Sequence, residues 1–171
     1  MLAPLPTTAA EDESRPLPRS LGDLDPAEHL LVWSLRAMAV GHGDCPALEQ
    51  AFARLCGPMG PAAQQAHFIL VRMIGVGARR RMQAHAPGCP CVGADETAVV
   101  GLVAAAQQAL RLGDDSLLRL RLGFLVGQGS ADTVRCAALG LAQVLNHCGC
   151  ELPVRMESSG RGEPGRLRVV H

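Results

Sequence analysis

The residues best suited to chemistry lie in one short run, His85-Ala-Pro-Gly-Cys89-Pro-Cys91. Two thiols one residue apart, in a loop turned by proline and glycine and preceded by an imidazole, can face a common point. Soft thiolate and imidazole nitrogen are the donors that zinc and other thiophilic metals take. A tetrahedral ion needs more than the two thiolates, and further ligands are on offer in Gly41-His42-Gly-Asp-Cys45 and in His147-Cys148-Gly-Cys150. The expected site is Cys89 and Cys91 with His85, His42 and Cys45, which would tie the first helix junction to the third. Zinc is the first choice of cofactor, an iron–sulfur cluster the second, and no metal at all a serious alternative. C-x-C is less diagnostic than two C-x-x-C pairs, and free cysteine often serves as a small buried hydrophobe. That ordinary role is the reading for Cys56 and Cys136, and Cys148 falls on an apolar helical stripe.

Cys45 supports a different chemistry. Placed just before Pro46, it would stand at a helix N-terminus, where free N–H groups and the positive dipole end favour thiolate, with His42 and Asp44 close by. That is the only local arrangement resembling a cysteine-dependent enzyme. The Arg79-Arg80-Arg81 run could meet phosphate, yet three Phe, one Trp and no Tyr leave no aromatic platform for bases. Sixteen basic residues, all arginine, are balanced by sixteen acidic ones, which argues against a general polyanion binder. No phosphate-binding glycine loop, HExxH helix or GxSxG elbow is present.

The elements that must hold these residues read as helices. In a chain of 171 residues, 48% hydrophobic but only 2% aromatic, the core has to be made of Leu, Val, Ala and Met, which suits helix packing. The expected fold is all-α, a compact bundle of five or six helices over residues 24–150, with a loose arm at 1–23 and a flexible tail at 151–171. Asp25-Pro26-Ala27-Glu28 supplies a cap, a first-turn proline and a capping-box acid for the first helix, which stops near Gly41. Cys45-Pro46 opens the second, and Pro61 the third. The third is apolar around most of its surface and is expected to be the central helix, with Arg79 to Arg81 and His85 at its end. Asp95 and Glu96 open the fourth, which runs to about Leu112. Leu117 to Val126 could alternate as a strand but has no partner, so a fifth helix is expected. Ser130 caps the sixth, and Gly149 ends it. The amino end lacks a secretory pattern, no run of eighteen apolar residues follows, and a cytoplasmic protein is expected, where seven cysteines call for a reason.

The segment from Trp33 to about Val100, with Arg-Ala-Met, then Gly-His-Gly-Asp, then RRRMQAHAPGCPCVGADE from residue 79, resembles a family of uncharacterised alphaproteobacterial helical proteins. They share a glycine-histidine turn and an Ala-Pro-cysteine-rich loop. The loop of that family carries three adjacent cysteines, whereas Gly88 and Pro90 interrupt it here and only Cys89 and Cys91 fit. The resemblance implies importance for His42, Cys89 and Cys91 and no particular activity. The function expected is a metal-binding or redox-responsive regulatory or interaction module. A metal-free helical adaptor comes second and an enzyme using Cys45 third. The partner expected is a protein, a second copy of the chain included, rather than nucleic acid or membrane.

Overall fold

The computed structural model describes residues 20–155. Six α-helices are found among them: α1 (Pro26–Ala39), α2 (Pro46–Cys56), α3 (Gly60–Gly77), α4 (Ala94–Leu112), α5 (Ser116–Leu125) and α6 (Gln128–His147). The expected all-α bundle is therefore the fold, with α3 and α6, α4 and α6, α2 and α3, and α4 and α5 as its main packing pairs. None of these helices is long and apolar enough to cross a membrane.

The most buried helix is α4, not α3. From Val99 to Gln107 every residue of α4 is buried, including Gly101 and the run Ala104-Ala105-Ala106. Small side chains let α1, α5 and α6 approach α4 closely. The third helix is amphipathic instead. Its buried stripe is Ala63, His67, Leu70 and Ile74, while Ile69 and Val76 face outward.

α3 also ends earlier than its basic tail suggests. It stops at Gly77, and Ala78 turns extended to pair with Val126 at the corner between α5 and α6. The Gly127 amide donates to the Gly77 carbonyl and the Arg79 amide to the Leu125 carbonyl. A Cβ at Gly77 would stand 2.5 Å from that of Ser130, so this crossing needs glycine. Arg79, Arg80, Arg81 and His85 therefore lie beyond the helix, in a non-helical connection that runs to α4.

Most of the arm at 1–23 and of the tail at 151–171 lies outside the described residues, but the parts inside are fastened. Ser20 pairs with Cys91, and Leu21–Asp23 form a 3-10 turn. After Gly149 (φ +70°), Leu152 is buried with its amide on Gln107, and Arg155 is buried against Glu28. Among the described residues, the chain beyond 150 is thus held against the bundle as far as Arg155 by the buried pair with Glu28.

Candidate functional site

α1 carries Glu28, Val32 and Arg36 on one line, each a turn apart and all buried. Arg36 is 1% exposed and meets Glu96, 0% exposed, at the start of α4. The guanidinium is bidentate: Nε donates to Oε1 at 2.8 Å and Nη2 to Oε2 at 2.9 Å. Its remaining donors go to the cysteine loop. Nη1 donates to the Cys89 carbonyl at 2.6 Å and, at the longer distance of 3.5 Å, to that of Ala86. Nη2 donates also to the Cys91 carbonyl. Glu96 closes the arrangement from the other side, accepting the His85 amide at 2.9 Å and the Gly93 amide at 2.8 Å.

One buried ion pair therefore binds the loop at Ala86, Cys89 and Cys91 through carbonyls and at His85 and Gly93 through amides. Burial alone would raise the Glu96 carboxyl, but the Arg36 hydrogen bonds and then the Gly93 and His85 amides outweigh it and hold the carboxyl below its usual range. A second carboxylate, Asp95, fastens the approach to the loop. It takes Arg80 in a bidentate pair and the Gln83 amide at 2.7 Å. Arg80 is thus an anchor for the connection, and Asp95 is held low first by its bonds to that guanidinium. The Leu21 amide on the Pro90 carbonyl, at 2.8 Å, pins the loop's far side.

With its backbone turned inward, the loop carries its thiols outward. Cys89 is half-buried and Cys91 exposed, and the Cys91 S–H bonds to the Cys89 sulfur. That bond, followed by repulsion from a Cys89 thiolate, holds the Cys91 thiol above its ordinary value, while the Arg36 charge works the other way. The His85 ring is exposed and lies over Gly93, whose Cβ position would be 3.4 Å from Nε2.

His42 and Cys45 belong to a different fastening. The His42 amide caps α1 on the Ala37 carbonyl at 2.7 Å, Gly43 lies against Phe68 and Met38, and Gln64 reaches the Gly43 carbonyl. Cys45 is the N-cap of α2, where the sequence put it, and is half-buried. Of the five expected ligands, the side-chain contact found among the described residues is Cys89 with Cys91. No three His, Cys, Asp or Glu side chains among the described residues converge as ligands of one ion.

Beside the loop, an apolar groove of about 230 Å3 opens between α1, α3 and the start of α4. Leu35, Met38, Val71, Ile74 and Val99 line it, and the loop approach, Met82 to Ala84, forms one wall. Arg36 and Glu96 were missed as site residues, although an arginine on the apolar line of the first helix was a visible signal. Also missed was the meeting of Cys56, Cys148 and Cys150, where the Cys56 thiol is in hydrogen-bonding contact with the other two. No protein-family model, curated protein or solved structure matches the chain, and nothing in these comparisons bears on the likeness noted for Trp33 to Val100.

Proposed function

We propose that this protein is a small thiol-responsive interaction module whose sensing element is the Cys89–Cys91 loop. The observation that carries the reading is the backbone attachment of both cysteines to Arg36, which presets a contacting dithiol on the surface and joins it to a buried ion pair. An incoming disulfide of the glutathione type is attacked by the Cys89 sulfur and releases one thiol. The Cys91 sulfur then gives up its proton, attacks Cys89 in the mixed disulfide and expels the second thiol. One sulfur–sulfur bond forms in the protein, one breaks in the oxidant, and two hydrogens move to the two thiols released. Closing that small ring shifts the carbonyls of residues 89 and 91 relative to Arg36. Because the same connection walls the apolar groove at Met82 to Ala84, the thiol state and the groove share one mechanical element.

Equilibrating the protein with glutathione disulfide, alkylating what remains and mapping the peptide from Met82 to Arg111 tests this directly. The expected product has lost two hydrogens and takes up no label at Cys89 or Cys91, and its His85 and Gly93 amides exchange faster with solvent. Both thiols remaining alkylatable at equilibrium would overturn the reading.

A second reading is favoured by the same sulfur contact: the dithiol as two ligands of a thiophilic metal, zinc before an iron–sulfur cluster. Two thiolates fill half of a tetrahedron, so the other donors would come from a partner or a second copy of the chain. Elemental analysis and the absorption spectrum of anaerobically purified protein test it. Bound metal that is lost in Cys91→Ser supports this reading, and metal-free protein after growth in ample zinc and iron rejects it.

A further inference from the structure

Cys56 is the last residue of α2, and Cys148 and Cys150 flank Gly149 just past α6, yet the packing of the two helix ends brings these cysteines together, with the Cys150 sulfur 3.9 Å from the Cys148 carbonyl and the Cys56 thiol influenced by both. The backbone just past α6 is fixed by hydrogen bonds. The Cys150 amide donates to the Leu145 carbonyl at 2.9 Å and the Gly149 amide to that of Asn146 at 3.0 Å, the paired bonds of a Schellman turn closed by glycine at φ +70°. Gln107 of α4 then holds the Cys150 carbonyl at 2.7 Å and the Leu152 amide at 2.9 Å. Opposite, the Cys150 sulfur lies 3.8 Å from the Leu55 carbonyl, next to Cys56. Cys56 and Cys150 are buried, and Cys148 is half-buried and open to an attacking reagent. Nothing in the proposed loop chemistry uses these sulfurs.

We propose that Cys56 and Cys148 form a disulfide latch that staples the end of α2 to the end of α6, with a low-molecular-weight disulfide as oxidant. The Cys148 thiolate attacks that oxidant and expels one thiol. The Cys56 thiol then loses its proton to solvent and attacks the Cys148 sulfur, expelling the second thiol. The protein loses two hydrogens, and the oxidant is reduced to two thiols. Burial, followed by the neighbouring Cys150 and Cys148, pushes the Cys56 thiol up to about 12, so its resolving step is slow. The latch therefore closes later than the exposed loop dithiol reacts. Its closure constrains a long loop of the unfolded chain, which raises the melting temperature by on the order of 10 °C.

The test is a time course of full-length protein with glutathione disulfide, digested under non-reducing conditions. The expected product joins the peptide from Leu55 to Arg72 with the peptide from Cys136 to Arg155, and it accumulates after the loop dithiol has reacted. Cys56→Ser and Cys148→Ser abolish it, whereas Cys136→Ser and Cys91→Ser leave it intact. The melting rise disappears with the cross-link. No cross-linked peptide at equilibrium overturns the proposal. So does a cross-link that survives Cys148→Ser and vanishes in Cys150→Ser. Because the loop cysteines are in a separate peptide, failure here and failure of the loop chemistry are read independently.

Discussion

Replacing Arg36 with methionine keeps a side chain of similar length but removes every bond that the guanidinium makes to Glu96 and to the cysteine loop. Two bonds to Glu96 and the donors to the Ala86, Cys89 and Cys91 carbonyls go at once, and the carboxylate is left buried with only two backbone amides. Removing one member of a buried pair costs about 3–5 kcal/mol, because the remaining charge has lost its water and gained no partner. Arg36→Met is expected near the middle of that range, about 4 kcal/mol. Glu96→Gln, which keeps an acceptor for an amide, should cost less, about 2 kcal/mol. The double variant Arg36→Met with Glu96→Leu has no stranded charge, and its loss should be smaller than the sum of the corresponding single variants by about 2 kcal/mol. Urea unfolding followed through Trp33, the single tryptophan, on α1, reads all of these. At a slope of about 2 kcal/mol per molar, Arg36→Met shifts the midpoint by about 2 M. A loss below about 1 kcal/mol for Arg36→Met, or strict additivity in the double variant, would refute the account of Arg36 and Glu96 as one coupled unit.

Three further outcomes are expected. His67 is fully buried, with Nδ1 2.9 Å from the Ser34 hydroxyl and Nε2 without a partner among the described residues, and burial pushes its imidazole down to about 4. The unfolded chain takes up this proton below about 6.5 and the folded chain only near 4. The His67 contribution is therefore fully present above pH 6.5, and about 3 kcal/mol of it is lost as the pH falls to 4. His67→Leu should flatten that part of the stability profile, and parallel profiles for the two proteins would contradict the assignment. Gly60→Ala places a Cβ 2.7 Å from the Ala53 backbone and should cost about 2 kcal/mol, while Gly75→Ala, in open space on α3, should gain about 0.5–1 kcal/mol; thermal melts that rank them otherwise count against the packing of α2 on α3. Arg155→Met strands Glu28 and should cost about 3–5 kcal/mol by urea unfolding, although the sequence reads as tail at that point; a neutral result would show that the buried pair is not made.

Most caps and terminators were legible because they are local, although Ser130, expected to cap α6, lies inside that helix and its N-cap is Gly127. Asp25-Pro26 before α1, Cys45-Pro46 before α2 and Gly149 after α6 each stand where a few neighbouring residues settle the backbone. The most buried helix was not, since α4 owes its burial to alanine and glycine, whose smallness allows close approach but registers weakly as hydrophobicity. The end of α3 was misplaced because arginines suit a helix end, whereas Gly77 leaves the helix to meet Val126 and Ser130, contacts about fifty residues away. In the same way, the C-x-C loop was visible by its spacing, but its orientation was not. Arg36 and Glu96, sixty residues apart in the chain, decide which way the loop's carbonyls and thiols point. The meeting of Cys56 with Cys148 and Cys150 is likewise a property of the packed helices and of no local pattern.

Glu28 and Glu96 occupy equivalent places, each the third residue of its helix, each accepting the amide just before that helix and each clasping a buried arginine from a distant part of the chain. For α1 the arginine is Arg155, 127 residues further on. During synthesis, the first helix emerges with an acid that must stay in water until nearly all of the described chain has followed. A nascent chain ending before residue 155 has no way to bury that acid with its partner. Burial of the Glu28 charge with its partner is therefore tied to the far end of the described chain, whatever the order in which the helices between them pack.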